Sequence, residues 1–455
     1  MSTACFKAYD IRGKIGEELN EDMAWRIGRA MADWLKARSI VVGADMRLSS
    51  PALCNALCEG IMSSGADVVD IGLSGTEEVY FGTVFHQADG GVQITASHNP
   101  ADYNGMKLVR RGASPISGDT GLFEIRDRVI ENRFPDTGIR GIRHRRTDKR
   151  PYIDHLLHLV DCQPLDGFCM VSNAGNGAIG PALDVLQEAL AQKGIHPLLH
   201  RYQDTPDGTF PNGVPNPLLP ENRAETSQAV IRHGAQLGVA FDGDFDRCFF
   251  FDEHGDFVES YYIIGLLANA LLARQPGSTI IHDPRLTWST IDTVQKAGGH
   301  PLQSKTGHAF IKERMRKDNA LYGGEMSGHH YFRDFHYCDS GILPWLHLSR
   351  LLAESGQPLS ALVRERANRY PVSGEINFSV PDSGAALRSI LDQYGHIALN
   401  QDDTDGVSLE FSDWRFNVRA SNTEPLIRLN VETRANPELL VSKTRELSSL
   451  LRSAS

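Results

Sequence analysis

Gly91-Val92-Gln93-Ile94-Thr95-Ala96-Ser97-His98-Asn99-Pro100, continued by Ala101-Asp102-Tyr103-Asn104-Gly105-Met106-Lys107, is the stretch around which the chain is read. The apolar run Gly91–Ala96 reads as a buried strand, and Ser97 stands at its exit. Asn99-Pro100 and Asn104-Gly105 are turn signals on either side of the next few residues. A serine is thereby held on a tight loop, with His98 beside it and Lys107 returning nearby. This serine is expected to carry a phosphoryl group.

Working outward, Gly91–Ala96 is the third strand of a β-α-β-α-β run. Asn20 caps a helix whose Ile27, Met31, Trp34 and Leu35 share one face. Strand Ile40–Gly43 follows. Ser50-Pro51 opens a helix with Leu53, Leu57 and Met62 spaced for burial. Strand Val68–Ile71 and helix Glu77–His86 lead back to Ser97. The spacing implies a mainly parallel sheet covered by helices. After the polar, arginine-rich stretch Ile139–Arg150, taken as a boundary, the pattern restarts. Strand Phe168–Ser172, helix Pro181–Gln192, helix Glu221–His233 and strand Leu237–Phe241 form a second round. Helix Ser260–Ala273, strand Thr279–His282, helix Thr287–Lys296, strand Pro301–Ser304, helix His308–Lys317 and strand Ala320–Tyr322 form a third. Beyond Arg369, Val372–Val380, Gly406–Phe411, Trp414–Arg419 and Ile427–Glu432 alternate like antiparallel strands, and Pro437–Leu451 closes as a helix. The expected architecture is three consecutive α/β domains with mixed, mainly parallel sheets around a central cleft (1–150, 151–253 and 254–368), then a smaller α+β domain (369–455).

The 455 residues exceed what one core supports. A formal net charge of −11 argues against a general nucleic-acid binder. The N-terminus has no apolar leader run. The longest apolar stretch, near Tyr261–Ala273, falls short of the roughly 20 residues of a membrane span. The seven cysteines are scattered and odd in number, which fits reduced thiols in a cytoplasmic protein. The partner is expected to be a small molecule, with no nucleic acid and no membrane; monomer and homodimer are both open.

In parallel sheets, ligands bind beyond the carboxyl ends of strands, and each α/β round places a polar loop there. Asp242-Gly-Asp244-Phe-Asp246-Arg247 sets three carboxylates at alternate positions. Two like charges about 4 Å apart repel by roughly 4 kcal/mol at an effective dielectric of 20, and Mg²⁺ is the natural relief. A hairpin turn would explain only Asp242-Gly243. A calcium hand, with Glu253 at its twelfth position, fails at Arg247, where glycine is needed. Gly323-Gly-Glu325-Met-Ser327-Gly-His329 offers a carboxylate and a hydroxyl suited to sugar hydroxyls. Lys305-Thr-Gly-His308 opens a helix toward an anion. Arg419-Ala-Ser421-Asn422-Thr423-Glu-Pro425, with Arg428 beyond, gathers donors that suit phosphate; alone, it also reads as an ordinary turn. Tyr9-Asp-Ile-Arg12-Gly sets Arg12 on a turn. Ser97-His98 lacks the Gly-x-Ser-x-Gly elbow of hydrolases. A phosphoserine, carrying about −1.5 to −2 charge, would need a cation near the Asp242 loop.

With these loops assembled, the chain resembles the α-D-phosphohexomutases from end to end. Four motifs stand in that family's order: Thr-Ala-Ser97-His-Asn-Pro, Asp242-Gly-Asp-Phe-Asp-Arg247, Gly324-Glu-Met-Ser-Gly-His329 and Arg419-Ala-Ser-Asn-Thr-Glu-Pro425. Lys7-Ala-Tyr9-Asp-Ile-Arg12-Gly points to the phosphomannomutase/phosphoglucomutase branch. The resemblance implies a phosphorylated Ser97 that, with Asp242, Asp244 and Asp246, holds one Mg²⁺. It implies sugar contacts from Glu325 and Ser327, with His308 and His329 near the substrate. Arg419, Ser421, Asn422 and Thr423 are implied to bind the non-reacting phosphate. His98 and Lys107 are candidates for proton transfer, with Arg12 and Arg247 supporting the phosphoryl group. Tyr9, Arg285, Lys305 and Arg428 complete the expected substrate contacts. The implied reaction interconverts hexose monophosphates through a phosphoserine and a hexose 1,6-bisphosphate, in service of GDP-mannose synthesis. Mannose and glucose phosphates remain alternatives. A phosphosugar phosphatase or a non-catalytic phosphosugar-binding protein would use the same loops. Phe245 stands where a glycine is common in the family, and Arg285 where lysine is.

Overall fold

The computed structural model describes residues 3–135, 137–380, 382–420 and 426–453. They divide into two compact units, Met1–Phe257 with His329–Gly356, and Val258–Gly328 with Gln357–Ser455.

The first unit begins with a sheet in the order Ile11–Lys14, Tyr103–Arg110, Gly90–Ile94, Ser39–Ala44, Asp67–Leu73, Arg143–Arg145. Its inner strands run parallel, as the β-α-β spacing requires, while Tyr103–Arg110 pairs antiparallel on both sides. One expectation is corrected. Asn104-Gly105 is not a turn: it lies within Tyr103–Arg110, opposite Gly13 and Arg12. A Cβ on Gly105 would stand 2.2 Å from Ile11 O, so the glycine serves close strand approach instead. Within the arginine-rich stretch taken as a boundary, Arg143–Arg145 adds a parallel edge strand beside Asp67–Leu73.

Helix Glu21–Leu35 is capped by Asn20, whose side chain accepts from Met23 N at 2.9 Å. Its buried face meets helix Ser50–Ser63 where Gly28 and Gly60 let the backbones approach; Cβ atoms there would lie 2.3 Å from Leu57 O and 2.0 Å from Trp25 O. A second sheet sets Cys248–Phe251 antiparallel to Leu237–Phe241, which runs parallel to Cys169–Asn173 and, through it, Leu198–Tyr202. Helices Leu122–Glu131, Arg150–Leu159 and Ile342–Ser355 had no prediction.

In the second unit, Thr279–His282 lies between parallel partners His300–Gln303 and Tyr322–Gly324. The apolar stretch near Tyr261 is the buried helix Ser260–Leu272. The C-terminal part is an all-antiparallel sheet, Val372–Ser379, Leu426–Thr433, Trp414–Ala420, Val407–Glu410 and Asn400–Asp402, packed under Pro437–Ser453 and the unpredicted helix Ser383–Tyr394. Among the described residues no helix is long and apolar enough to cross a membrane.

Candidate active site

Strand Gly90–Ile94 delivers Ser97 to a loop in which the serine is 2 % exposed and takes the left-handed conformation, φ 51°. That conformation is uncommon for a residue with a Cβ, so the surroundings must hold it. Thr95 Oγ1 accepts from Ser97 N at 2.8 Å. The main support is Arg47, which sequence reading missed. Its guanidinium donates to four carbonyls of the loop: Pro100 O at 2.7 Å, Tyr103 O at 2.9 Å, Ser97 O at 2.9 Å and Asn99 O at 2.6 Å. Asp45, 3.4 Å from Arg47 Nε, balances the buried charge.

Strand Leu237–Phe241 delivers the carboxylates. Phe245 N donates to Asp242 O at 3.1 Å, closing a turn that points Asp242, Asp244 and Asp246 inward, all fully buried. Phe245 itself is left-handed, φ 45°, so phenylalanine keeps the backbone that a glycine would adopt freely. Its ring lies against Gly75, where a Cβ would meet Phe245 Cε1 at 2.2 Å.

The two loops meet. Ser97 Oγ donates to Asp242 Oδ2 at 2.7 Å and accepts from Arg247 Nη2 at 2.9 Å. Arg247 also grips Asp242 Oδ2 at 2.7 and 3.0 Å. His98 Nδ1 lies 3.1 Å from Ser97 Oγ and also contacts Arg247 Nη2. Lys107, on the adjacent strand, bonds Asp244 Oδ2 at 2.6 Å and Asp246 Oδ2. Arg12 reaches Asn99 Oδ1 and pairs with Asp10 at 2.7 Å, with half-buried Tyr9 adding to the field around it. His329 bridges to Arg247 through the backbone and sets Nδ1 2.9 Å from Asp339 Oδ2.

Charge is distributed accordingly. Burial disfavours the Lys107 ammonium, but Asp244 and Asp246 outweigh it and raise its pKa. Burial and the neighbouring Asp244 push Asp246 up to about 7, whereas Lys107 and Thr76 overcome burial at Asp244 and hold it low. Burial, then Arg247 and Arg12, depress His98 well below the usual imidazole range, so it is neutral at physiological pH. A divalent cation fits this cluster. Ligand oxygens of the three aspartates lie within 4.8 Å of one another, and Asp244 Oδ1 and Asp246 Oδ1 are buried with no hydrogen-bond partner among the described residues. Hard carboxylate oxygens suit Mg²⁺.

The second unit holds the other motifs. Glu325 Oε1 accepts from Gly307 N at 2.8 Å, tying the sugar-binding candidate to the start of helix His308–Asp318. His308 is buried there, Ser327 is half-buried, and Lys305 is exposed with Nζ 5.0 Å from the Phe310 ring centre. Arg285 pairs with Asp283 at 2.6 Å, and Asp283 also accepts from Met326 N at 2.8 Å. Arg285, Arg419 and Arg428 converge on Glu375 at 3.4, 3.5 and 3.2 Å. Burial would raise Glu375, but the three arginines lower it. Glu375 gave no signal in the sequence because it sits in an ordinary alternating strand. Ser421, Asn422 and Thr423 lie outside the described residues.

Models of the three α/β/α domains and the C-terminal domain of phosphoglucomutase/phosphomannomutase match residues 3–136, 150–255, 259–370 and 375–441. A phosphomannomutase of Escherichia coli K12 is 55% identical over 449 residues, 98% of each chain. A Xanthomonas campestris protein described as "Phosphohexose mutases" is 55% identical over 452 residues, 99% of this chain and 100% of its own. A crystal structure of a phosphoglucomutase/phosphomannomutase family protein from Burkholderia thailandensis superposes with TM-score 0.88 at 32% identity, covering 100% of this chain and 98% of that one. The chain therefore belongs to the phosphoglucomutase/phosphomannomutase family, among the α-D-phosphohexomutases. It is an isomerase, a phosphomutase.

Proposed function

We propose that the protein is a phosphomannomutase, interconverting mannose 6-phosphate and mannose 1-phosphate through a phosphoserine at Ser97 and a 1,6-bisphosphate. The observation that carries this is the hydrogen bond of Ser97 Oγ to Asp242 Oδ2 at 2.7 Å, inside a cage of Arg247, His98 and two further buried aspartates. A hydroxyl so placed becomes, once phosphorylated, an anion that needs the cations around it.

Phospho-Ser97 gives its phosphoryl group to the free hydroxyl of a hexose monophosphate, and Ser97 later recovers the other phosphoryl group from the bisphosphate. A bisphosphate supplied from outside acts as activator by restoring phospho-Ser97. Arg247 and Arg12 offset charge on the transferring group. Neutral His98, 3.1 Å from Ser97 Oγ, takes or returns the proton at that oxygen. Lys107 orients Asp244 and Asp246. Asp242, Asp244, Asp246 and the serine phosphate would hold one Mg²⁺, which supplies charge neutralisation at the phosphoryl oxygens. Glu325, Ser327, His308 and His329 read the sugar. Arg285, Lys305, Arg419, Arg428, Ser421, Asn422, Thr423 and Tyr9 bind its distal phosphate or rim. Domains at 1–150, 151–253, 254–368 and 369–455 contribute these loops, a division supported by the matched stretches. We place the enzyme in the cytoplasm, as monomer or homodimer, supplying GDP-mannose synthesis.

Dual use of mannose and glucose phosphates is a second reading, favoured by the broader description of the Xanthomonas relative. Ser97→Ala is expected to fold, to lack a phosphate adduct by intact mass and to lose turnover; wild-type rates from it would sink the mechanism. Comparing kcat/KM for mannose 1-phosphate and glucose 1-phosphate, with a 1,6-bisphosphate present, separates the two readings. Stoichiometric release of inorganic phosphate would instead mark a phosphatase.

A further inference from the structure

In the second unit, helices Ser260–Leu272, Trp288–Lys296 and Leu359–Arg369 line a cavity of ≈ 130 Å³, partly open to solvent, that no step of the proposed reaction uses. At ~30 Å³ per water it has room for about four waters, or for one tetrahedral oxyanion with some hydration. Its lining is not neutral. Lys296, Arg366 and Arg369 face Asp292 and Glu365, so the basic groups are in excess. Asp292 is already matched by Lys296 at 2.7 Å and Arg369 at 3.2 Å.

Arg366 is different. It is half-buried, its Nη1 donates to Leu362 O at 3.0 Å, and it has no ion pair among the described residues. Its Nε is buried without a hydrogen-bond partner. Ser289, 1 % exposed and on the facing helix, also leaves its Oγ buried and unpartnered. Two buried donors without acceptors, one of them on a guanidinium, are costly unless something in the cavity accepts from them. Guanidinium and hydroxyl donors together match a phosphate or phosphomonoester oxygen.

We propose that this cavity is a second anion site, taking inorganic phosphate or the phosphate end of a phosphomonoester between Arg366 and Ser289. Its position gives binding a mechanical consequence. Arg369 and Tyr370 line the cavity and run directly into strand Val372–Ser379. The backbone of that connector accepts from Ala435 N to Arg369 O at 2.9 Å and from Thr433 N to Pro371 O at 3.0 Å. An anion here ties the connector of the C-terminal sheet to the two helices beneath it.

Crystals of the full chain soaked in sodium tungstate, a tetrahedral oxyanion with strong anomalous scattering, test this. An anomalous peak within hydrogen-bond reach of Arg366 Nε and Ser289 Oγ is expected, and its loss in Arg366→Met. In solution, calorimetric titration with inorganic phosphate should give one more binding event for the wild type than for Arg366→Met. Ser289→Ala, a smaller change, should weaken that event at least several-fold if Arg366→Met does not fold. The same titration with glycerol 2-phosphate assigns the source: an added event means monoesters enter, and none means free phosphate alone. Tungstate found elsewhere but not in the cavity, or equal stoichiometry in wild type and Arg366→Met, overturns the proposal. Neither result bears on Ser97, because the readouts do not involve turnover.

Discussion

Arg47 has the widest reach of any single residue at the site. One guanidinium satisfies four loop carbonyls while staying 1 % exposed. Each such bond to a charged donor contributes about 1.5–3 kcal/mol, enough to hold Ser97 in a left-handed conformation that costs roughly 1–2 kcal/mol. Arg47→Met is expected to lower the thermal midpoint and cut kcat by at least tenfold. Arg47→Lys should not restore either, because an ammonium cannot fork between carbonyls. Asp246 sets a second expectation. Its carboxyl is pushed up to about 7 by burial and by Asp244, and a metal needs the ionised form. The proton must therefore leave when metal binds below that pH, and not above it. Mg²⁺ affinity should fall by up to tenfold per unit from about pH 7 to about pH 6, with proton release in buffers of differing ionisation heat. Affinity flat across that range would refute the assignment.

Among the elements, the metal loop shows two opposing effects in one residue. Phe245 occupies a left-handed position that glycine would take without strain, a saving of roughly 1–2 kcal/mol. Its fully buried ring, however, fills the space against Gly75, and emptying a buried phenylalanine site costs about 3–5 kcal/mol. Packing wins, so Phe245→Gly should destabilise by about 1–4 kcal/mol in urea denaturation despite restoring the commoner residue. The antiparallel sheet gives the other case. Arg419 and Arg428 are directly paired across neighbouring strands, and Glu375 on the next strand draws both, with Arg285, to itself. On the proposed assignment of these arginines to the substrate's phosphate, an incoming phosphate shares them with the carboxylate. Glu375→Gln is thus expected to lower KM for mannose 1-phosphate by several-fold while lowering the thermal midpoint. A raised KM would show that Glu375 only orders the arginines.

For the molecule as a whole, buried His330 and half-buried His347 contribute to the loss of stability in acid. Burial depresses His330 to about 3 and His347 to about 4, below the ordinary value of 6.5. The unfolded chain takes up these protons below about pH 6.5 and the folded chain does not, so stability falls as pH drops. Each histidine removes about 1.4 kcal/mol per pH unit until its folded pKa is reached. His347→Gln should visibly flatten the decline of the urea midpoint between about pH 6.5 and pH 4, and leave the behaviour above about pH 7 unchanged.

The sequence alone determined the parts whose logic is local. Strand-then-turn spacing set Ser97 at a strand exit, and alternate aspartates set three carboxylates on one side of a loop. The change from helix-separated strands to alternating ones marked the C-terminal sheet, although helix Ser383–Tyr394 separates its first two strands in the chain. Only the tertiary structure decided what depends on distant partners. Asn104-Gly105 has the composition of a turn, yet it is a strand because Ile11 O passes where a Cβ would stand. Arg47 and Glu375 have unremarkable neighbours in the chain. Their roles come from carbonyls 50 to 56 residues away and from arginines 44 to 90 residues away. Turn chemistry and periodicity act within a few residues, whereas charge balance in a buried site is settled by whichever groups the packed chain brings together.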